Sequence, residues 1–194
     1  MPPKPKFTRE QIVAAALALV SEKGMDALTA RELGKRLGCS AQPIFTVFHS
    51  MEDVQDAVRE AALGRFESYA DRVPANLPAY MRLAMQMVLF AQEEPRLYLL
   101  RFLPENRDGA VYGNMYSRMG IMFQHCLDDL QKDYSLSLQD AHTVFRHMWT
   151  YIFGVGTLCS TGAYDISADS FLENLERDFQ SLMRLIHFAK NGEE

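Results

Sequence analysis

The chain has 194 residues, is 48% hydrophobic and carries a net charge of −5 at pH 7. That length and apolar content suit one compact unit or two small ones with ample core, and with 11 glycines and 8 prolines no long low-complexity stretch is indicated. No run of about 18 or more apolar residues occurs, so neither a transmembrane helix nor a membrane partner is expected; the cysteines Cys39, Cys126 and Cys159 are far apart, lack a C-x-x-C pair and suit reduced thiols in a cytoplasm.

The chain opens on a short basic arm, MPPKPKF, without the apolar core of a signal peptide. Lys4 and Lys6 could follow a DNA backbone, or serve only as a solubilising tail. Thr8 and Gln11 have the spacing of a capping box, and Phe7 can staple onto Ile12. A first helix is therefore expected over residues 9–23, with Ile12, Ala16, Leu19 and Val20 as its core stripe and Gly24 as its stop.

The stretch TARELGKRLGCSAQPIFTVFHSMEDV, residues 29–54, is the one around which the chain is organised. Thr29 and Glu32 have box spacing, Leu28 can staple onto Leu33, and Leu33 with Leu37 forms one apolar stripe. Gly38 stands where a helix end needs a left-handed residue. Ser40 is expected to cap a second short helix, with Cys39 and Ile44 at the staple positions and Pro43 where its missing N–H costs no intrahelical bond. Ser50 then begins a further helix with Glu52 and Asp53 in its first turn. Two short helices about a glycine turn form the pattern of a helix-turn-helix, whose second helix enters the major groove. Ala41, Gln42, Pro43 and Thr46 would meet base edges: Gln suits adenine, and a Thr methyl or small apolar group suits the thymine methyl. Lys6, Thr29, Arg31, Lys35, Ser40, Phe45 and His49 complete the candidate DNA-contacting set. A plain surface helical hairpin would show the same caps.

Charge is distributed in the same sense. Up to Met51 there are seven basic residues against four acidic ones, a net of +3, which leaves −8 beyond. A basic head on an acidic body orients the head towards phosphate.

Residues 12–58, IVAAALALVSEKGMDALTARELGKRLGCSAQPIFTVFHSMEDVQDAV, resemble the DNA-binding domain of the TetR (tetracycline-repressor) family of transcriptional regulators. The order of elements is the family's: helix, Gly turn, Leu-Thr, second helix, Gly, Ser, recognition helix, aromatic pair, Ser, acidic start of the fourth helix. Three positions depart from it. Phe45 replaces the usual Tyr, Val47 the usual His and Met51 the usual Lys; the departures bear on phosphate contacts, not on the fold.

Beyond residue 54 no strand alternation appears and helical periodicity continues. Helices are expected to about residue 71, then over 79–92, 96–102, 110–132 and 138–160, and from about 167 onwards, nine in all with the three of the head. The expected fold is thus all-α: a three-helix helix-turn-helix domain over 1–51, and a six-helix ligand-binding and dimerisation domain over 52–194. The resemblance implies the same layout, and Trp149 followed by Phe153-Gly154 resembles a tryptophan-histidine-glycine pattern of some members, with Phe153 in the histidine's place.

No residue constellation points to catalysis. The five histidines lack H-E-x-x-H spacing, and His125 with Asp128 or Asp129 is a common surface pairing, so neither a metal nor a cofactor is expected. Gly154-Val155-Gly156-Thr157 lacks a P-loop's Lys, and no G-x-S-x-G is present. Eleven methionines and twelve phenylalanines give the body an adaptable apolar composition. The expected ligand pocket draws on Met87, Phe90, Met119, Met122, Phe123, Trp149 and Phe153, with Arg118 and His147 for a polar end. Gly154, Phe171, Leu175, Phe179 and Leu182 are expected at a homodimer interface of two helices from each chain. The resulting expectation is a cytoplasmic, homodimeric transcriptional regulator, a repressor of a roughly palindromic double-stranded DNA operator, released by a small hydrophobic or amphipathic effector. The alternative is an all-helical small-molecule carrier or enzyme with a residual helix-turn-helix.

Overall fold

A computed structural model describes residues 6–103 and 121–191. All regular structure among them is helical: α1 (Arg9–Lys23), α2 (Ala30–Arg36), α3 (Met51–Glu67), α4 (Ala79–Glu93), α5 (Pro95–Phe102), α6 (Ile121–Tyr134), α7 (Leu138–Ser160) and α8 (Ala168–Asn191). The start of the helix expected over 110–132 lies outside the described residues.

Local chemistry accounts for the helix starts. The Thr8 side chain accepts from the Gln11 amide at 3.3 Å while Gln11 Oε1 accepts from the Thr8 amide at 2.9 Å, a closed capping box for α1. Ser50 and Asp53 close the same box for α3 at 3.1 Å in both directions. Pro95 takes the first position of α5, where its missing N–H costs nothing. The Thr29 box is only half made. Thr29 accepts from the Glu32 amide at 3.2 Å, but the Glu32 carboxylate pairs with Lys23 at 3.8 Å and the Thr29 amide bonds the Ala27 carbonyl.

The chain divides into two compact units, and the division differs from the expected 1–51 and 52–194. The first holds the described residues up to 69 together with 90–103; the second holds 70–89 and 121–191. In the first unit α1 packs on α2, α3 and α5, and α3 packs on α5. Phe66 explains why α3 and α5 belong there: its ring meets Phe90 edge-on at 5.4 Å and Phe102 at 5.2 Å. A helix-turn-helix segment alone is too small to bury such a core.

In the second unit α6 packs on α7 and α7 on α8. Phe179 stacks on Tyr80 at 4.4 Å and meets Tyr134 at 4.8 Å, Phe171 lies parallel to Tyr151 at 6.4 Å, and Phe145 lies parallel to Trp149 at 5.9 Å. The expected interface residues Phe171, Leu175 and Phe179 are therefore corrected to core: each is 0% exposed within the single chain. Their stripe is consumed by the chain's own packing. Leu182 is half-buried, and among the described side chains of α8 the large apolar ones left in solvent are Leu185 and Phe188, 67% and 80% exposed.

Candidate DNA-binding face and ligand cavity

The segment expected as the recognition helix is not an α-helix. Residues 41–43 form a turn that runs into a single 3-10 turn, Ile44–Thr46. Its bonds reach back three residues, from the Ile44 amide to the Ala41 carbonyl and from Phe45 to Gln42; only Phe48 reaches back four, to Ile44. Pro43 removes one support that an α-helix would have here. Were Ser40 the cap, Pro43 would sit at the third helical position, and it has no N–H to offer the Ser40 hydroxyl. Ser40 is exposed and caps nothing.

The turn ahead of it is fixed by two glycines. Gly38 has φ +67°, a left-handed value. A Cβ on Gly34 would lie 3.0 Å from the Cys39 carbonyl oxygen and 3.2 Å from the Ser40 carbonyl carbon, so α2 and the turn close directly on each other's backbone.

This closure puts the candidate contacts on one segment. Gln42, Thr46 and His49 are exposed, Phe45 is 45% exposed, and Ala41 and Pro43 are half-buried. The Thr46 hydroxyl donates to the Pro43 carbonyl at 2.7 Å, which fixes the side chain's rotamer. Ile44 and Phe48 anchor the turn inwards, the Phe48 ring lying 4.8 Å from the Arg9 guanidinium. The His49 amide donates to Asp53 at 3.0 Å. Thr29 spends its hydroxyl oxygen on its cap.

The cations differ in what they are free to do. Arg36 makes a bidentate pair with Glu22, two bonds of 2.7 Å, and the guanidinium holds the Glu22 carboxyl below its usual range. Arg31 and Lys35 are exposed and have no ion-pair partner among the described residues, which leaves both available to phosphate. Lys6 is exposed, its ammonium 5.5 Å from the Phe7 ring centre.

The second unit contains a narrow cavity of about 20 Å³, room for about one water molecule. Tyr80 and Leu83 of α4, Cys126 and Leu130 of α6, Val144, Phe145, Met148, Trp149 and Ile152 of α7, and Phe179 of α8 line it. Burial pushes the Cys126 thiol up to about 11, so it is an inert, neutral wall. Burial, with Tyr134 and Glu176 nearby, holds the Tyr80 hydroxyl protonated well above its ordinary range, and that hydroxyl donates to Glu176 at 3.2 Å. The Trp149 indole nitrogen is buried and has no hydrogen-bond partner. Leu83 and Cys126 also border an outer cleft of about 230 Å³, whose wall includes Arg82, Gln86, His125 and Asp129.

Among the described residues expected at a ligand pocket, Trp149 alone lines this cavity. Met87 is fully buried but does not border it, and Phe90 belongs to the first unit, on Phe66 and Tyr69. His147 is exposed, its Nδ1 2.9 Å from the Thr143 carbonyl. Phe123 packs on Phe145 at 4.8 Å, and Phe153 is half-buried away from the cavity. Arg118, Met119 and the Met122 side chain lie outside the described residues. The sequence does hold signals for what was missed: Tyr80 and Leu83 share one face of α4, and Val144, Met148 and Ile152 recur every fourth residue on α7. Nothing in such a stripe separates a cavity wall from solid core. Among the described residues no three His, Cys, Asp or Glu side chains come together as a metal site, and no helix is long and apolar enough to cross a membrane.

Comparison with known proteins bears on both units. Residues 12–58 match the family of bacterial regulatory proteins, tetR family. Over 69 residues the chain is 35% identical to the tetracycline repressor protein class A from transposon 1721 of Escherichia coli, a match covering 36% of this chain and 31% of that protein. The chain thus spans about a third of the length of that repressor. Its fold is similar to that of a TetR-like transcriptional regulator from Rhodococcus sp. RHA1, with a TM-score of 0.61, 16% identity, and 90% and 92% of the two chains covered. It is also similar to a variant of TetR from Acinetobacter baumannii AYE in complex with minocycline, with a TM-score of 0.52, 19% identity, and 95% and 98% covered. At these identities the likeness to the solved structures is one of fold.

Proposed function

We propose, from the premise that this chain belongs through its amino-terminal domain to the tetR family of bacterial regulatory proteins, that it is a homodimeric, ligand-responsive repressor of transcription acting in the cytoplasm. The observation that carries this reading is the exposed turn at Gln42 and Thr46, following a helix, α2, whose Arg31 and Lys35 are exposed and without an ion-pair partner among the described residues. Gln42 reads a base edge; Arg31 and Lys35 neutralise phosphates and fix the register. A 3-10 turn carries few side chains, so specificity rests on Gln42, Thr46 and Phe45 rather than on a long helix face.

A dimer places two such turns about 34–36 Å apart, one turn of DNA, on a roughly palindromic operator. The dimer surface is drawn from the exposed apolar side chains of the second unit, Leu158 on α7 and Leu185 and Phe188 on α8. Outside its own helix backbone, no described atom lies within 4 Å of where a Cβ on Gly154 would stand, which leaves space for a partner helix. The effector is small and hydrophobic or amphipathic, and enters the cavity beside Trp149. It releases DNA if it binds the non-DNA state more tightly than the DNA-bound one.

Selection of bound sequences from a random DNA pool tests this. A palindromic motif is expected, with a steep loss of affinity as salt rises. Gln42→Ala should reduce discrimination at one base position by about 1–3 kcal/mol, whereas Lys35→Ala should weaken all sequences alike and flatten the salt slope. A pool that yields no motif and no salt dependence would leave a carrier with a residual helix-turn-helix.

A further inference from the structure

Two features of the second unit meet at Trp149. Its ring is 2% exposed and held parallel to Phe145 at 5.9 Å, so the indole cannot swing out to water. Its N–H is buried without an acceptor: the Tyr80 hydroxyl, the one hydroxyl among the described residues of the same wall, donates to Glu176 and makes no bond to the indole. A buried donor without a partner destabilises the protein that keeps it. Among the described residues no charged side chain lines the inner cavity, so against these walls a charged ligand group would be desolvated without compensation.

We infer that the effector of the proposed regulator is an uncharged aromatic molecule bearing a hydrogen-bond acceptor, which it places on the Trp149 indole N–H. The inference rests on the regulator reading for the word effector, but the chemistry of the site stands on the cavity. Phe145, Trp149 and Phe179 supply aromatic faces for the ring, and Met148 supplies a flexible wall. The cavity of about 20 Å³ must open to admit such a molecule. Leu83 and Cys126 border both it and the outer cleft of about 230 Å³, so displacing the Leu83 side chain joins the two spaces. The acceptor then satisfies the one donor that the apolar wall cannot, so an isostere lacking it is rejected.

Acetophenone and α-methylstyrene test this directly, because they share an outline and differ in an oxygen replaced by CH2. Trp149 is the only tryptophan, so full-length ¹⁵N-labelled protein gives one indole N–H resonance. Acetophenone should bind at least about tenfold more tightly than α-methylstyrene and move that resonance downfield. Trp149→Phe should bind both and lose the preference. Equal affinities, failure of either probe to bind, a preference that survives Trp149→Phe, or an indole proton already held by water and unmoved by acetophenone would each overturn the inference. The wild-type shift decides it even if Trp149→Phe does not fold. DNA selection is scored apart: DNA binding without acceptor preference sinks this inference alone, and acceptor preference without DNA binding sinks the regulator reading alone.

Discussion

Gly34 lies so close to Cys39 that a single added carbon would stand 3.0 Å from the Cys39 carbonyl oxygen, and the Cys39 amide in turn donates to the Gly34 carbonyl at 2.9 Å. Helix propensity alone would favour alanine at residue 34. The backbone contact wins, because neither carbonyl can rotate away as a side chain could. Gly34→Ala should lower stability by about 1–3 kcal/mol. Gly38→Ala, open in space but at φ +67°, should cost roughly 1–2 kcal/mol. Gly64→Ala, in mid-helix with nothing within 4 Å, should instead gain about 0.5–1 kcal/mol. Urea midpoints of the three variants give the order; a stabilised Gly34→Ala would show that the turn is looser than described.

Glu94 gathers three donors within the first unit. Its Oε1 accepts from Arg65 Nε at 3.0 Å and Nη2 at 2.9 Å, and its Oε2 accepts from the Ser21 hydroxyl at 2.7 Å. The carboxylate is largely shielded, at 13% exposure, but Arg65 is half in water at 52%. Screening therefore limits the pair, and a double-mutant cycle of Glu94→Ala with Arg65→Ala should give a coupling of about 1 kcal/mol. The cycle read from chemical denaturation at low and high salt checks it, and zero coupling at both would reduce the pair to a geometric coincidence.

Alkaline pH should act on the same unit through Tyr69. Burial, and then a 2.9 Å hydrogen bond to Glu93, push its hydroxyl up to about 12. The unfolded chain ionises this tyrosine near its ordinary value of about 10, while the folded chain keeps the proton. Stability is thus fully present below about pH 10 and is lost as pH rises through about 12. Tyr69→Phe should flatten that decline, at a cost near neutral pH of about 0.5–1.5 kcal/mol for the lost bond. Melting temperatures at stepped pH report both effects, and an unchanged slope would place the alkaline loss elsewhere.

Substitutions on α8 should fall into two kinds. Leu175 is 0% exposed, so Leu175→Glu buries an unpaired carboxylate and should cost more than about 4 kcal/mol without a monomer ever being seen. Phe188→Glu and Leu185→Glu alter side chains already in solvent. They should yield a folded monomer by sedimentation and weaken binding to a two-half-site operator. A double variant that stays dimeric moves the interface off this end of α8.

The sequence by itself determined the helical character and most of the start signals, though not at Ser40, which caps nothing. Thr8, Ser50 and Ser137 cap helices at their own spacing, because a cap is made within four residues and needs no distant partner. It also determined the all-helical class and the helix-turn-helix signature over residues 12–58, which rest on local periodicity and glycine placement. Only the tertiary structure decided what each stripe faces. Phe171, Leu175 and Phe179 read equally well as core or as interface until Tyr80 and Tyr134 are seen to cover Phe179 and Tyr151 to cover Phe171. Phe90 belongs to the same helical stripe as Met87, yet it serves the other unit because Phe66 and Tyr69 meet it there. The cavity beside Trp149 is a space left between α4, α6, α7 and α8. Periodicity describes one helix at a time, so it cannot say where the surfaces of several fail to meet.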